Sequence, residues 1–213
     1  VFDSDLTNLT SGQISDAVSA AITNFFDTNL NQLNRNFYHS KIHDDIKAVS
    51  PSIISVTITP TVQKRLTPTT LGKTDNYTFS FNTRIQPREL HSTWFNAVIG
   101  TTTNKVKIQD VPSSTVLPPE YNGTGTLFLV DTTGAQLATI GTIDYTTGRL
   151  TIPSITVASF FENETSIRVS TRPHDDSKDI KTTILSRNSE VSTSAVIAQP
   201  SNNTILALDD SSY

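Results

Sequence analysis

The chain has 213 residues, of which 34 are Thr and 24 are Ser, and only 17% are charged. This composition favours strands and turns, and it argues against coiled coils and helical solenoids. A net charge of −4 disfavours a broad nucleic-acid or anionic-membrane surface. The chain lacks Cys, which excludes disulfides and thiolate metal sites. The sequence contains no apolar run of about 18 residues, so it predicts no transmembrane helix.

The sequence also contains no Met, even at its first position. We therefore expect it to be one part of a longer protein. The Gly-rich loops that bind nucleotide phosphates are absent from the sequence, and so is the G-x-S-x-G turn of serine hydrolases.

The first predicted element is an amphipathic helix over about 11–27. Its apolar residues recur at the three- and four-residue spacing of one helix face, which comprises Ile14, Val18, Ile22, Phe25 and Phe26. Thr10 and Gln13 form a capping box, since each side chain can satisfy the exposed backbone N–H of the other. The spacing fits both a core face and an interface with a second copy.

A second helix is predicted over about 37–49, where Tyr38, Ile42 and Ile46 lie at helical spacing. Asn36 is a candidate N-cap, and Pro51 ends the helix because the residue before a proline avoids the α region. From residue 52 the apolar period changes to two, which predicts a half-buried strand that ends at Pro60.

Alternating apolar residues predict further strands at 62–66, 77–81, 94–99, 106–108 and 166–171, and 180–185 is read as a strand or short helix. The strongest local pattern lies at 125–157. Leu127 and Leu129 lead into a turn at 131–134, a strand at 137–144, a second turn at 145–148 and a strand at 150–152. Gly134 and Gly148 supply the positive φ that short hairpin loops often need, so the pattern predicts a β-meander.

The predicted fold class is α+β, with an N-terminal helix pair followed by a mainly antiparallel, meander-like or sandwich-like β domain. We divide the chain into a helical and first-strand module (1–60), a β-rich domain (61–172) and a polar C-terminal segment with docking strands (173–213).

Few residues suggest chemistry. His39 and His43 are four apart on the second predicted helix, a spacing that can bind zinc, but position 40 holds Ser rather than the Glu of a zinc hydrolase. The acids that follow His174 fit no calcium loop. Trp94, beside Phe95, fits an interface anchor or the core. We predict no catalytic residue, no cofactor and no metal.

Two β segments, 125–134 (GTLFLVDTTG) and 140–152 (IGTIDYTTGRLTI), resemble the C-terminal β region of baseplate wedge proteins from contractile-tailed phages of the T-even type. The order of 36–49 (NFYHSKIHDDIKAV) and 52–58 (SIISVTI) after an amphipathic helix is similar to the helix–helix–strand module of baseplate-J-like proteins. The resemblance spans most of residues 11–185.

This resemblance implies a structural virion protein without catalytic residues. Such proteins form homodimers in each baseplate wedge, link the wedges into a ring around the hub and bind other wedge proteins. An alternative from a different class is a β-rich carbohydrate-binding or adhesin-type module, with Trp94 or Tyr121 as a stacking platform. A zinc hydrolase that uses His39 and His43 is the third reading.

Overall fold

A computed structural model describes residues 1–29, 37–113, 123–161 and 164–174. It shows an α+β fold in which two helices precede a nine-stranded, antiparallel sheet. The described residues form two compact units, one comprising Val1–Ile58 and the other beginning at Thr59. We call them the helical unit and the β unit. The predicted segment 173–213 lies outside the described residues after 174.

The helical unit contains a short 3-10 helix, Ser4–Leu6, and two α-helices, α1 (Ser11–Asn29) and α2 (His39–Lys47). The capping box is confirmed, because the Thr10 N–H donates to Gln13 Oε1 (2.9 Å) and the Gln13 N–H donates to Thr10 Oγ1 (3.3 Å). The N-cap of α2 is Tyr38, which makes no side-chain capping bond, and Asn36 lies outside the described residues.

Apolar side chains of both helices form the core of the helical unit. Phe25 of α1 and Phe37 meet edge to face, with ring centres 6.2 Å apart. The buried members of this core are Phe2, Ile14, Val18, Phe25, Phe37, Ile42 and Ile46. Each helix therefore buries part of its apolar stripe inside this unit.

The strand predicted at 52–60 is wrong. Residues 54–60 adopt no regular structure, and Ile53 makes only an isolated bridge to Phe2. The Val1 carbonyl accepts hydrogen bonds from the N–H groups of both Ile54 and Ser55. An alternating pattern forms a strand only beside a partner strand, and among the described residues this segment pairs with another through the single bridge of Ile53 to Phe2.

The described residues of the β unit form nine strands. They are β1 (Val62–Leu66), β2 (Thr74–Ser80), β3 (His91–Ser92), β4 (Phe95–Ile99), β5 (Thr102–Pro112), β6 (Thr124–Val130), β7 (Gln136–Asp144), β8 (Arg149–Phe160) and β9 (Ile167–Thr171). The predicted meander is confirmed as β6–β7–β8, with positive φ at both Gly134 (88°) and Gly148 (64°).

Five strands close a circuit, because β4, β5, β6, β7 and β8 pair in sequence and β8 pairs back onto β4. Strand β2 runs along β8, and β3, β9 and β1 extend the sheet from β5. Side chains that alternate inward along these strands, among them Phe95, Val106, Leu127, Ile143 and Leu150, fill one continuous core.

Two strands are much longer than predicted. β8 was expected at 150–152 but runs through Pro153, which has no N–H to donate to a partner strand. A register shift in the pairing with β2 accommodates it, since Asp75 lies opposite Ile155 and Tyr77 opposite Ile152. β5, expected at 106–108, already begins at Thr102.

Candidate functional site

An aromatic and cationic cluster lies on the outer face of the β unit, and we call it the Trp94 patch. It consists of Trp94, Lys105, Lys107 and Phe161. The ammonium groups of Lys105 and Lys107 lie 5.7 and 5.4 Å from the centre of the Trp94 ring. Lys105 Nζ also lies 4.6 Å from the centre of the Phe161 ring. Both lysines are therefore within the range of cation–π attraction.

Strand register produces this patch. Phe95 pairs with Val106 and with Phe160, and both Phe95 and Val106 are fully buried. Because side chains alternate across a strand, Lys105 and Lys107, which flank Val106 on β5, point away from the core. Trp94 directly precedes β4 and Phe161 directly follows β8, and their contacts with the lysines place them on the same outer face.

Polar groups continue the same face. Asn96 lies opposite Lys105 on one side and Ser159 on the other, and its amide donates to Ser159 Oγ at 2.7 Å. Within the described ranges, no carboxylate lies within ion-pair distance of Lys105 or Lys107. Among the described residues, the groups that lie against the two ammonium groups are therefore aromatic rings, and this combination of rings and cations suits an anion.

Sequence reasoning left Trp94 and Phe95 undecided between the core and an interface. The structure separates them, with Phe95 buried and Trp94 half-buried on the outer face. Sequence reasoning missed Lys105 and Lys107. Their i, i+2 spacing on a strand was a usable signal, because it places two charges on one face.

The helix face predicted at residues 14–26 is divided by burial. Ile14, Val18 and Phe25 are buried in the helical unit, whereas Ile22 and Phe26 are half-buried. Several large apolar residues of this unit are exposed. Among them are Leu6 (63% exposed), Leu9, Tyr38 and Ile54 (50% exposed), and we call these four residues the exposed apolar set.

The buried carboxylate of Asp110 binds the loop that contains Arg88 and Leu90. Asp110 of β5 accepts hydrogen bonds from the Tyr145 hydroxyl (2.6 Å), the Arg88 N–H (2.7 Å) and the Leu90 N–H (3.1 Å). Arg88 adopts a positive φ of 68°, an uncommon conformation for a residue other than Gly. Burial raises the pKa of Asp110 and outweighs the opposing effect of these donors, and the pKa of Tyr145 is also raised, first by burial and then by its bond to Asp110.

This arrangement predicts a pH dependence of stability. Because the pKa of Asp110 is raised above its ordinary value of 3.8, the folded protein binds a proton in a pH range where the unfolded chain does not. The stabilising contribution is present below pH 3.8 and is lost as pH rises through the native pKa. We therefore expect the free energy of unfolding of the wild type, measured by urea titration, to fall relative to that of Asp110→Asn as pH rises from 3.8. A wild type that gains stability relative to Asp110→Asn over this pH range would contradict the prediction.

His39 and His43, whose spacing can bind zinc but for which no metal is predicted, lie one turn apart on α2. His43 Nδ1 is 3.4 Å from Asp44 Oδ1, which is the residue's own neighbour in sequence. Among the described residues, no three His, Asp or Glu side chains group in a way that would hold a metal ion. The acids that follow His174 lie outside the described residues.

No protein-family model and no curated protein matches this chain. Neither described helix has both the length and the apolarity needed to cross a membrane. The geometry of the two units is therefore the basis for any functional assignment, together with the sequence resemblance.

Proposed function

We propose that this chain is a structural subunit of a phage tail baseplate wedge. In this role it forms a homodimer, links wedges into a ring around the hub and contacts other wedge proteins, so it acts in the virion rather than as an enzyme. The resemblance of residues 11–185 to baseplate wedge proteins supports the proposal. The exposed apolar set supports it independently, since it is a feature of protein–protein interfaces.

The exposed apolar set is the observation that carries the argument. The helical unit buries Ile14, Val18 and Phe25 of α1 and Ile42 and Ile46 of α2, whereas the four side chains of the exposed apolar set remain in contact with water. Burying such side chains in an interface favours association by about 25 cal/mol for each Å² of apolar surface removed from water. Exposed apolar surface of this kind marks interaction sites on soluble proteins. We infer that a second copy covers Leu6, Leu9, Tyr38 and Ile54 in the homodimer.

The test compares charged substitutions on the two units. Leu9→Asp and Ile54→Asp place a carboxylate in the proposed interface, where desolvation opposes association. Sedimentation equilibrium should show a dimer for the wild type and at least tenfold weaker association for both variants. Leu137→Asp is the matched control, because Leu137 is an exposed Leu of β7 in the other unit. It should leave association unchanged.

Circular dichroism would establish that the variants are folded. A wild-type chain that stays monomeric at every concentration would contradict the dimer, as would a Leu137→Asp variant that dissociates as readily as Leu9→Asp. The wider role would be tested by mixing the chain with the remaining wedge proteins of its phage. We expect wedge-sized particles in negative-stain images, and their absence would overturn the baseplate assignment.

A further inference from the structure

We propose that the Trp94 patch is a binding site for an acidic sugar residue of a glycan, with the carboxylate held by Lys105 and Lys107. The proposal is independent of the baseplate role, because it concerns the β unit and a ligand rather than subunit contacts. It depends on the geometry of four side chains, which lie on or next to the three strands β4, β5 and β8, and on the local charge.

The aromatic rings provide the apolar part of such a site. Trp94 and Phe161 lie on the same outer face, and the same ammonium group of Lys105 approaches both rings. The C–H face of a pyranose ring is apolar and packs against an aromatic ring in the same way that other apolar groups do. Trp94 is half-buried, so its ring is held in place while part of it remains accessible.

The lysines provide the charge. Two ammonium groups lie within 6 Å of one ring, and the described residues supply no carboxylate for either of them. A lysine side chain is flexible and carries three donors, so each ammonium can move from the ring to an incoming carboxylate. A charge-assisted hydrogen bond of this kind is stronger than a neutral one. The patch therefore selects an anionic ligand over a neutral one.

The polar neighbours provide positions for sugar hydroxyls. Asn96 donates to Ser159 Oγ through its amide nitrogen, which leaves the Asn96 carbonyl oxygen and the Ser159 hydroxyl proton available on the same face. The combination of an aromatic surface, a cationic pair and small polar groups is that of a sugar-acid site. An extended nucleic-acid surface would need a larger basic area than two lysines.

The experiment uses hexagalacturonate as the acidic probe and a galactose hexamer as its uncharged counterpart. Trp94 is the only tryptophan in the chain, so its fluorescence reports this site directly. We expect hexagalacturonate to change Trp94 emission in a saturable way, with affinity that falls as salt is added. Lys105→Gln and Lys107→Gln should each weaken binding by about tenfold, the effect of losing one charge-assisted hydrogen bond.

Lys64→Gln is the matched control, since Lys64 lies on β1 of the same unit and outside the patch. It should bind as the wild type does. The proposal is overturned if hexagalacturonate leaves Trp94 emission unchanged at millimolar concentration, or if the galactose hexamer binds equally well. Tighter binding of hexaglutamate than of hexagalacturonate would also overturn it, and would assign the patch to acidic protein segments.

Discussion

Gly148→Ala is expected to destabilise the β unit by about 3 kcal/mol. Gly148 has a φ of 64°, and a left-handed conformation costs roughly 1–2 kcal/mol for a residue with a Cβ. An added Cβ would also lie 2.4 Å from the Thr83 carbonyl oxygen, and forcing such overlap costs about 1–3 kcal/mol more. Urea unfolding followed by Trp94 fluorescence measures the loss.

The first Thr-Thr-Gly turn, at 131–134, provides the matched control. Gly134 has a φ of 88°, but a Cβ built there meets nothing within 4 Å. Gly134→Ala should therefore lower the free energy of unfolding only by the cost of the left-handed conformation, about 1 kcal/mol. Equal losses for the two variants would show that the contact with Thr83 does not determine the stability of the turn.

Asp110→Ala is expected to cost about 3 kcal/mol or more. The substitution leaves the Tyr145 hydroxyl and the N–H groups of Arg88 and Leu90 without their acceptor, and a buried donor that loses its partner costs about 1–3 kcal/mol. Relief of the buried charge offsets only part of this loss. The free energy of unfolding again follows from urea titration.

Asp131→Ala is a suitable comparison, because Asp131 also accepts several hydrogen bonds, among them those from the Thr133 and Ala135 N–H groups. These bonds lie on an exposed turn where water can replace the carboxylate, so the expected loss is much smaller. If Asp110→Ala were no more destabilising than Asp131→Ala, the buried hydrogen bonds to Asp110 would not be what stabilises the loop at Arg88.

Local patterns in the sequence predicted the helices and the meander well. The spacing of Ile14, Val18 and Phe25 predicts a helix, and the capping box at Thr10 predicts where it begins. The turns before Gly134 and Gly148 are equally local. Such features need no distant partner to be recognised, which is why α1 and the two turns of the meander agree closely with expectation.

Predictions failed where an element depends on a distant partner. The alternation at 52–60 looks like a strand, but no strand among the described residues runs along it. The predicted strand at 150–152 grows into β8 because β2 and β4 pair along its length. Sequence alone also gave no reason to connect Asp110 with Tyr145, which lie 35 residues apart.

The sequence by itself determined the α+β class, the amphipathic helices and the turns, because each follows from spacing within a few residues. The tertiary structure decided which side chains meet. Only the pairing of β4 with β5 and β8 places Trp94, Lys105 and Phe161 on one face, and only packing within the helical unit separates buried Phe25 from exposed Ile54. These arrangements depend on register and burial between distant segments, and the short-range patterns of a single sequence do not contain them.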